Sequence, residues 1–189
     1  MKILFFIDGL ASGGKERRLI ELMKGIKIKP NFAFEIVLMN DEIHYQEVFH
    51  LGMKIHYLLR TTTNSLTLFH GFYKICVNYK PDIVHCWDSM TAIIAVPTCK
   101  WLGIKLVNGM VTDTPVRRSI FNKYWFRARL TFPFSSAVIG NSDAGLAAYR
   151  APRKKSYRIY NGMDLVRFKN LTEASLIRKE IFGDECQNI

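Results

Sequence analysis

Short apolar runs alternate with segments of helical apolar spacing along the chain, and this alternation limits the fold more than any other feature. Ile3–Ile7 is a continuous apolar run, as in a strand covered on both faces. Gly9, Gly13 and Gly14 break it, and Leu19, Leu22, Met23 and Ile26 then recur at i, i+3, i+4 and i+7. Further strands are predicted at Phe34–Met39, Met53–Leu58, Asp82–Cys86, Ile104–Asn108, Ser136–Gly140 and Lys155–Tyr160. Helical spacing links Leu66, Phe69, Tyr73, Cys76 and Val77, and then Met90, Ile93, Ile94, Pro97 and Trp101, with a kink expected at Pro97. Lys80-Pro81 and Gly103 are stop signals for these two helices. Shorter helical segments are read at Asp41–His50, near Ile120–Leu130, from Asn141 to Tyr149 and at Leu171–Phe182. Strands alternating with helices predict a Rossmann-like, doubly wound, mostly parallel sheet of about seven strands with helices on both faces. Ligands of such sheets sit outside the carboxyl ends of the strands, at a switch point in strand order. That rule selects the 9–14 turn, His85 to Asp88, Thr112 to Arg118, and Asn141-Ser142.

The glycine-rich turn feeds a helix N-terminus, where free N–H groups and the helix dipole suit an anion. It is not a dinucleotide fingerprint, because Gly9 and Gly13 are four residues apart. It is nearly a P-loop, but Glu16 stands where Ser or Thr must hold magnesium, so nucleotide hydrolysis is not supported. A ligand-free βα turn with Ser12 near the cap position is the other reading.

A chain of 189 residues can bury a sizeable single core. Cys76, Cys86, Cys99 and Cys186 are widely spaced, which predicts reduced thiols rather than a zinc site or disulfides, and hence the cytoplasm. Asp8 ends the first apolar run too early for a signal peptide, and no run has the length of a membrane span. The net charge of +11 is uneven: 12 Lys/Arg face 9 Asp/Glu in residues 1–100, and 15 face 7 in residues 101–189. Such a basic half attracts nucleic acid, an anionic membrane or a phosphorylated substrate. Phe121–Leu130 mixes Lys and Arg with Tyr, Trp and Phe, as interfacial helices do, though a core-packed helix with a basic outer face has the same composition. Arg117 and Arg118 offer guanidinium forks suited to phosphate or carboxylate. His85 is read as a satisfied core histidine or a polar site group, Trp87 as a core ring or a stacking surface for a sugar, and Asp88 as a helix cap before a ligand group.

Four stretches, taken in order, resemble the N-terminal domain of retaining glycosyltransferases of family 4 (group 1), which have the two-domain GT-B fold. They are Met1-Lys-Ile-Leu-Phe-Phe-Ile-Asp-Gly-Leu-Ala-Ser-Gly-Gly-Lys-Glu-Arg17, Lys80-Pro-Asp-Ile-Val-His85, Val138-Ile-Gly-Asn-Ser-Asp143 and Ile159-Tyr-Asn-Gly-Met-Asp-Leu-Val-Arg-Phe168. The resemblance implies an acceptor-side domain over residues 1–168, with 169–189 leading to a donor-binding domain not contained in this chain. It implies sugar transfer from a nucleotide-sugar donor to an acceptor hydroxyl with retention, in surface polysaccharide or glycolipid synthesis, with no metal and no cofactor besides the co-substrate. Gly13, Gly14 and Lys15 would face the donor's phosphate or sugar. His85, Asp88, Arg117, Arg118 and Asn141 would face the sugar or lipid-linked acceptor, and Asp113 is the catalytic candidate. The domain alone would be inactive. Docking on the inner face of the cell membrane, and no nucleic-acid partner, complete what the resemblance implies. Two rival readings from charge and pattern are a basic nucleic-acid-binding α/β domain and a one-domain Rossmann-type enzyme. No known nucleic-acid motif supports the first.

Overall fold

In a computed structural model, which describes residues 1–60, 66–111, 121–162 and 173–182, the chain forms one parallel sheet of seven strands. The strands are β1 (Lys2–Ile7), β2 (Ala33–Leu38), β3 (Ile55–Tyr57), β4 (Ile83–Cys86), β5 (Lys105–Val111), β6 (Ala137–Gly140) and β7 (Ser156–Arg158). Their order is β3-β2-β1-β4-β5-β6-β7. The direction of winding therefore reverses between β1 and β4, which is the switch point of a doubly wound sheet. The helices are α1 (Gly14–Lys27), α2 (Thr67–Tyr79), α3 (Ser89–Leu102), α4 (Lys123–Thr131), α5 (Asp143–Ala148) and α6 (Ala174–Phe182).

Strand alternation sends successive side chains to opposite faces. Leu4, Phe6, Val84, Cys86 and Leu106 pack against Phe72 and Cys76 of α2 and Ala92, Ile94, Ala95 and Cys99 of α3. Phe6 stacks on Phe72 with ring centroids 4.6 Å apart. Ile3, Phe5, Ile7, Ile36 and Leu38 point the other way, onto Leu19, Ile20 and Met23 of α1 and onto a 3₁₀ turn at Gln46–Leu51. That turn occupies the place read as a short helix at Asp41–His50. Beyond β5, Met110 and Val138 pack with Ala128, Phe132 and Tyr149. The fully buried Asn108 holds this corner: its amide donates to Thr131 Oγ1 at 3.0 Å, and its carbonyl oxygen accepts from the Met110 N–H at 3.1 Å.

Helix ends follow the sequence signals. Lys80 takes a left-handed φ of 53° after α2, and Pro81 bars continuation. Gly103 takes φ 68° after α3, and its N–H donates to the Cys99 C=O. The buried stripes differ from the pattern read in the sequence. In α3 the covered residues are Ser89, Thr91, Ala92, Ile94, Ala95, Thr98 and Cys99, and Trp101 is 82% exposed. Small side chains let α3 lie close to its neighbours; of the stripe read in the sequence, Ile94 is covered, Met90 packs half-buried against the same core, and Trp101 lies outside it. In α2, Leu66 precedes the helix and is exposed, while Leu68, Phe72 and Cys76 are buried. Cys76, Cys86 and Cys99 are free buried thiols, and burial pushes the Cys76 thiol up to about 12. Among the described residues, no helix is long and apolar enough to cross a membrane.

Phe72→Ala removes a ring that is 0% exposed and stacked on the central strand. The expected loss is about 3–5 kcal/mol in denaturant unfolding. A loss below about 1 kcal/mol would mean that this layer is not the core.

Candidate functional site

The face carrying Phe5 is open beside α1. A cavity of about 630 Å³ lies there, with Ile3, Phe5, Ile83 and Val107 on its floor. Arg18, Leu22 and Ile26 of α1 form one wall, and Ile159 to Gly162 the other. Its volume lies within the range of about 300–1,000 Å³ usual for small-molecule sites. Polar groups gather at the carboxyl ends of the strands: His85 near the end of β4 and Trp87 just after it, Asn141 after β6 and Asn161 after β7. Arg18 Nη1 donates to Asn161 Oδ1 at 2.5 Å and so links α1 to the far wall.

His85 sits between two aromatic rings, with centroid distances of 5.7 Å to Phe5 and 5.1 Å to Trp87. Burial lowers its pKa to about 4, so the imidazole is uncharged near neutral pH. Gly109 makes room for it. A Cβ at Gly109 would stand 3.2 Å from His85 Nε2 and 3.0 Å from the Cys86 carbonyl oxygen. Two of the predicted groups, His85 and Asn141, thus share one cavity.

The glycine-rich turn is fixed by a segment about thirty residues later. Leu10 bridges Ile43 in parallel, and the His44 N–H donates to the Leu10 C=O at 3.0 Å. His44 Nδ1 accepts from the Ser12 N–H at 3.1 Å and lies 2.8 Å from Ser12 Oγ, while its Nε2 pairs with Glu42 at 2.8 Å. The Tyr45 hydroxyl donates to the Gly13 C=O at 2.8 Å and accepts from the Gly13 N–H at 3.3 Å. The helix cap is therefore Gly13, without a side-chain cap bond, and Ser12 turns instead to His44. The Gly13 N–H is occupied by Tyr45 and is not presented to a ligand in this arrangement. Gly14 begins α1, where the first-turn N–H groups have no partner within the helix.

Asp88 is a cap, as the local sequence favours. Its Oδ1 accepts from the N–H groups of Met90 and Thr91 at 3.1 and 3.0 Å, and its Oδ2 accepts from the Asp8 N–H at 2.9 Å. Burial pushes its carboxyl pKa up, and the Lys15 charge and the N–H donors oppose that shift. Lys15 Nζ lies 3.4 Å from Glu16 and 3.9 Å from Asp88, so its charge is directed at protein carboxylates. Asp113, Arg117 and Arg118 lie outside the described residues. Tyr45, His44 and the Arg18–Asn161 link carry no sequence signal, because each depends on contacts between distant segments. Among the described residues, no group of three or more His, Cys, Asp or Glu could hold a metal ion.

Residues 12–167 match the family model for Glycosyltransferase Family 4. Among solved structures, Anabaena HepE in complex with UDP-glucose is 19% identical, with a TM-score of 0.73 over 95% of this chain and 49% of that one. The apo form of the lipopolysaccharide outer core galactosyltransferase WaaB is 15% identical, with a TM-score of 0.66 over 87% and 47% of the two chains. UDP-GlcNAc 2-epimerase from Neisseria meningitidis bound to UDP-GlcNAc is 13% identical, with a TM-score of 0.62 over 84% and 45%. At these identities the likeness shows the fold alone, and the chain spans about half the length of each of these proteins. No curated protein sequence matches the chain.

The uncharged His85 predicts a pH dependence. Its pKa is about 4 in the folded chain against 6.5 without the fold, so between these values the unfolded chain binds the proton more readily. The stability tied to this group is whole above pH 6.5 and is lost as pH falls toward 4, by up to ~3 kcal/mol. His85→Phe should flatten denaturant-measured stability between pH 7 and 4. Equal slopes in the two proteins would remove the uncharged assignment.

Proposed function

The chain belongs to glycosyltransferase family 4, and from that membership we propose that it is the acceptor-side domain of an enzyme that moves a sugar from a nucleotide-sugar donor to an acceptor hydroxyl. The fold is Rossmann-like, as in the N-terminal half of GT-B proteins. The observation that carries the reading is the family match over 12–167, which takes in Gly13 and Gly14 and the ends of β4, β6 and β7 at the cavity. Fold alone does not separate transferase from epimerase, since an epimerase is among the structural neighbours. Family membership favours the transferase.

In this reading the catalytic chemistry needs a stabilised leaving diphosphate and an oriented acceptor hydroxyl. The first turn of α1 offers backbone N–H groups at Gly14 and beyond for the donor side. His85 and Asn141 face the acceptor, with Arg117 and Arg118 for an acidic or diphosphate-bearing part of it. Asp113, just past β5, is the polar group proposed nearest the reacting hydroxyl. Asp88 and Lys15 hold the turn and α3 in place rather than meeting the acceptor. Residues 1–168 form this domain, and 169–189 connect it to a second, donor-binding domain. No metal or cofactor beyond the nucleotide sugar is assigned, the anomeric configuration is retained, and the product enters surface polysaccharide or glycolipid synthesis.

We place the enzyme in the cytoplasm, on an anionic membrane surface. Support comes from an outward patch that joins aromatic rings to basic heads. Phe121 is 92% exposed, Trp101 82%, and Phe126, Leu130 and Phe134 are also exposed. Lys100 lies over the Phe134 ring at 5.0 Å, Lys123 over Tyr124 at 5.1 Å and Arg129 over Trp125 at 4.8 Å. This is the composition of an interfacial surface.

A longer protein that includes this chain and a donor-binding domain should turn over at least one UDP-, GDP- or ADP-sugar. A protein that binds none across that panel refutes the transferase. Asp113→Ala in the active protein should lower kcat about 100-fold or more, with unchanged unfolding. Unaltered kinetics would take Asp113 out of the site. On the membrane, the chain should sediment with phosphatidylglycerol vesicles and not with phosphatidylcholine, and less so in 0.5 M salt, where screening is stronger. Trp101→Ser with Phe121→Ser should abolish sedimentation. Equal sedimentation with both lipids would exclude an electrostatic membrane site.

A further inference from the structure

The imidazole of His44 is held in one protonation state by the turn it supports. Its Nδ1 faces the Ser12 backbone N–H at 3.1 Å, and an amide N–H can only donate, so this nitrogen carries no proton. The proton of the neutral ring is then on Nε2, which lies 2.8 Å from Glu42 Oε1. Ser12 Oγ, 2.8 Å from the same Nδ1, donates to it as well. A second proton on the ring has one place to go, Nδ1, and there it would point at the Ser12 N–H, donor against donor. The Ser12 hydroxyl can turn to accept from a charged ring, but the backbone N–H cannot.

Histidine is the side chain that ordinarily changes charge between about pH 5 and 8. The charged groups brought around this one are Asp41 and Glu42 from its own segment, Lys15 and Glu16 from across the turn, and Glu47 from the 3₁₀ turn that follows. Lys15 lies 3.4 Å from Glu16 and 3.9 Å from Asp88, and Glu47 pairs with Arg17 and Lys24 at 3.6 and 3.2 Å. Glu42 is the carboxylate in contact with the ring, and it can hold the imidazolium once that forms. Ser12 is exposed and His44 half-exposed, so water answers the released N–H and the fold survives; what changes is where the turn lies. Ser12 stands between two anchors that carry no charge, the Leu10–Ile43 bridge and the Tyr45 hydroxyl on Gly13. Its bond to His44 is an anchor that acid can break.

We propose that His44 is a positioning residue that holds the glycine-rich turn only while its imidazole is uncharged, so that protonation releases the Ser12 backbone and shifts the turn at the start of α1. The anchor is whole at high pH and is lost as pH falls through the titration of the ring. That the released turn also weakens donor binding rests on the transferase reading; the release itself does not.

Five histidines give five ring signals in NMR, and His44→Asn identifies that of His44. At about pH 8 the His44 ring should carry its proton on Nε2. Lowering the pH to about 5 should move the Ser12 amide signal upfield with the same midpoint as the His44 ring signal. It should also cut the Ser12 protection factor against hydrogen exchange about 5–10-fold. His44→Asn sets an amide oxygen near the place of Nδ1, an acceptor that does not titrate, and should make the Ser12 signal independent of pH. The Gly145 N–H, which donates to Ser142 Oγ at 3.1 Å, is the control that should stay in place. The His85 ring is a second control, since burial lowers its pKa to about 4. A proton on Nδ1 at pH 8 overturns the proposal, as does a Ser12 signal that ignores the His44 midpoint or titrates equally in His44→Asn. If His44→Asn does not fold, the shared midpoint in the unaltered chain still decides the matter. In a longer protein that turns over a nucleotide sugar, the donor KM should rise about 5–10-fold from pH 8 to 5, and His44→Asn should flatten that rise. Equal rises in the two proteins overturn the positioning role. A Ser12 signal that follows His44 in a protein that turns over no nucleotide sugar would instead sink the transferase reading and leave the His44 release standing.

Discussion

The burial of β1 on both faces is the constraint on which the rest of the structure depends. Leu4, Phe5, Phe6 and Ile7 are at most 1% exposed, and they point alternately to the two sides. Each side must therefore be covered at once. One layer comes from α2 and α3, and the other from α1 and the Gln46–Leu51 turn. The strand also pairs in parallel with β2 on one edge and β4 on the other. Because the chain leaves β1 in one direction and later returns to its other edge, its carboxyl end is a crevice with no crossover above it. The crevice follows from burying one apolar strand twice.

A single carboxylate closes that end. Asp88 accepts from the Asp8 N–H at the end of β1, caps α3, and lies near the ammonium of Lys15 on α1. Three elements that converge on the switch point share one half-buried anion. Its desolvation is unfavourable, as the raised pKa records, and three N–H donors and one cation offset it. This explains why Lys15 is a poor candidate for a phosphate clamp: its charge already compensates protein carboxylates. Any anion binding left at α1 would be the work of backbone N–H groups, whose direction the Tyr45 hydroxyl helps to set through Gly13.

Strand positions were legible because each is a short apolar run bounded by turn residues, and a run buried on both faces admits little else. The helix stops at Lys80-Pro81 and Gly103 were legible for a local reason, since proline restricts the residue before it and glycine accepts a left-handed φ. Helix faces were less so. Apolar spacing finds a stripe but cannot tell which of two overlapping stripes will be covered, and in α3 the smaller residues won because they allow closer approach. In the site, the glycine-rich turn, His85, Asp88 and Asn141 could be found from their place after strands. The anchors of that turn could not. Ser12 to His44 and Gly13 to Tyr45 join segments 32 residues apart, and nothing in either segment alone announces the other.

The basic aromatic patch and the cavity lie on opposite faces of the sheet. Lys100, Lys123 and Arg129 belong to α3 and α4, which cover the sheet face opposite the cavity. The cavity's polar end is built instead from an uncharged imidazole and amides. Attraction at the basic face acts through water and weakens within a Debye length of about 10 Å at ordinary salt. Hydrogen bonds inside a partly dehydrated cavity are far less sensitive to salt. The net charge of +11 therefore says where the molecule is drawn, and says little about what the cavity selects. Selection there rests on donor and acceptor geometry fixed by strand ends. Those ends in turn hold their positions because the central strand is buried on both sides.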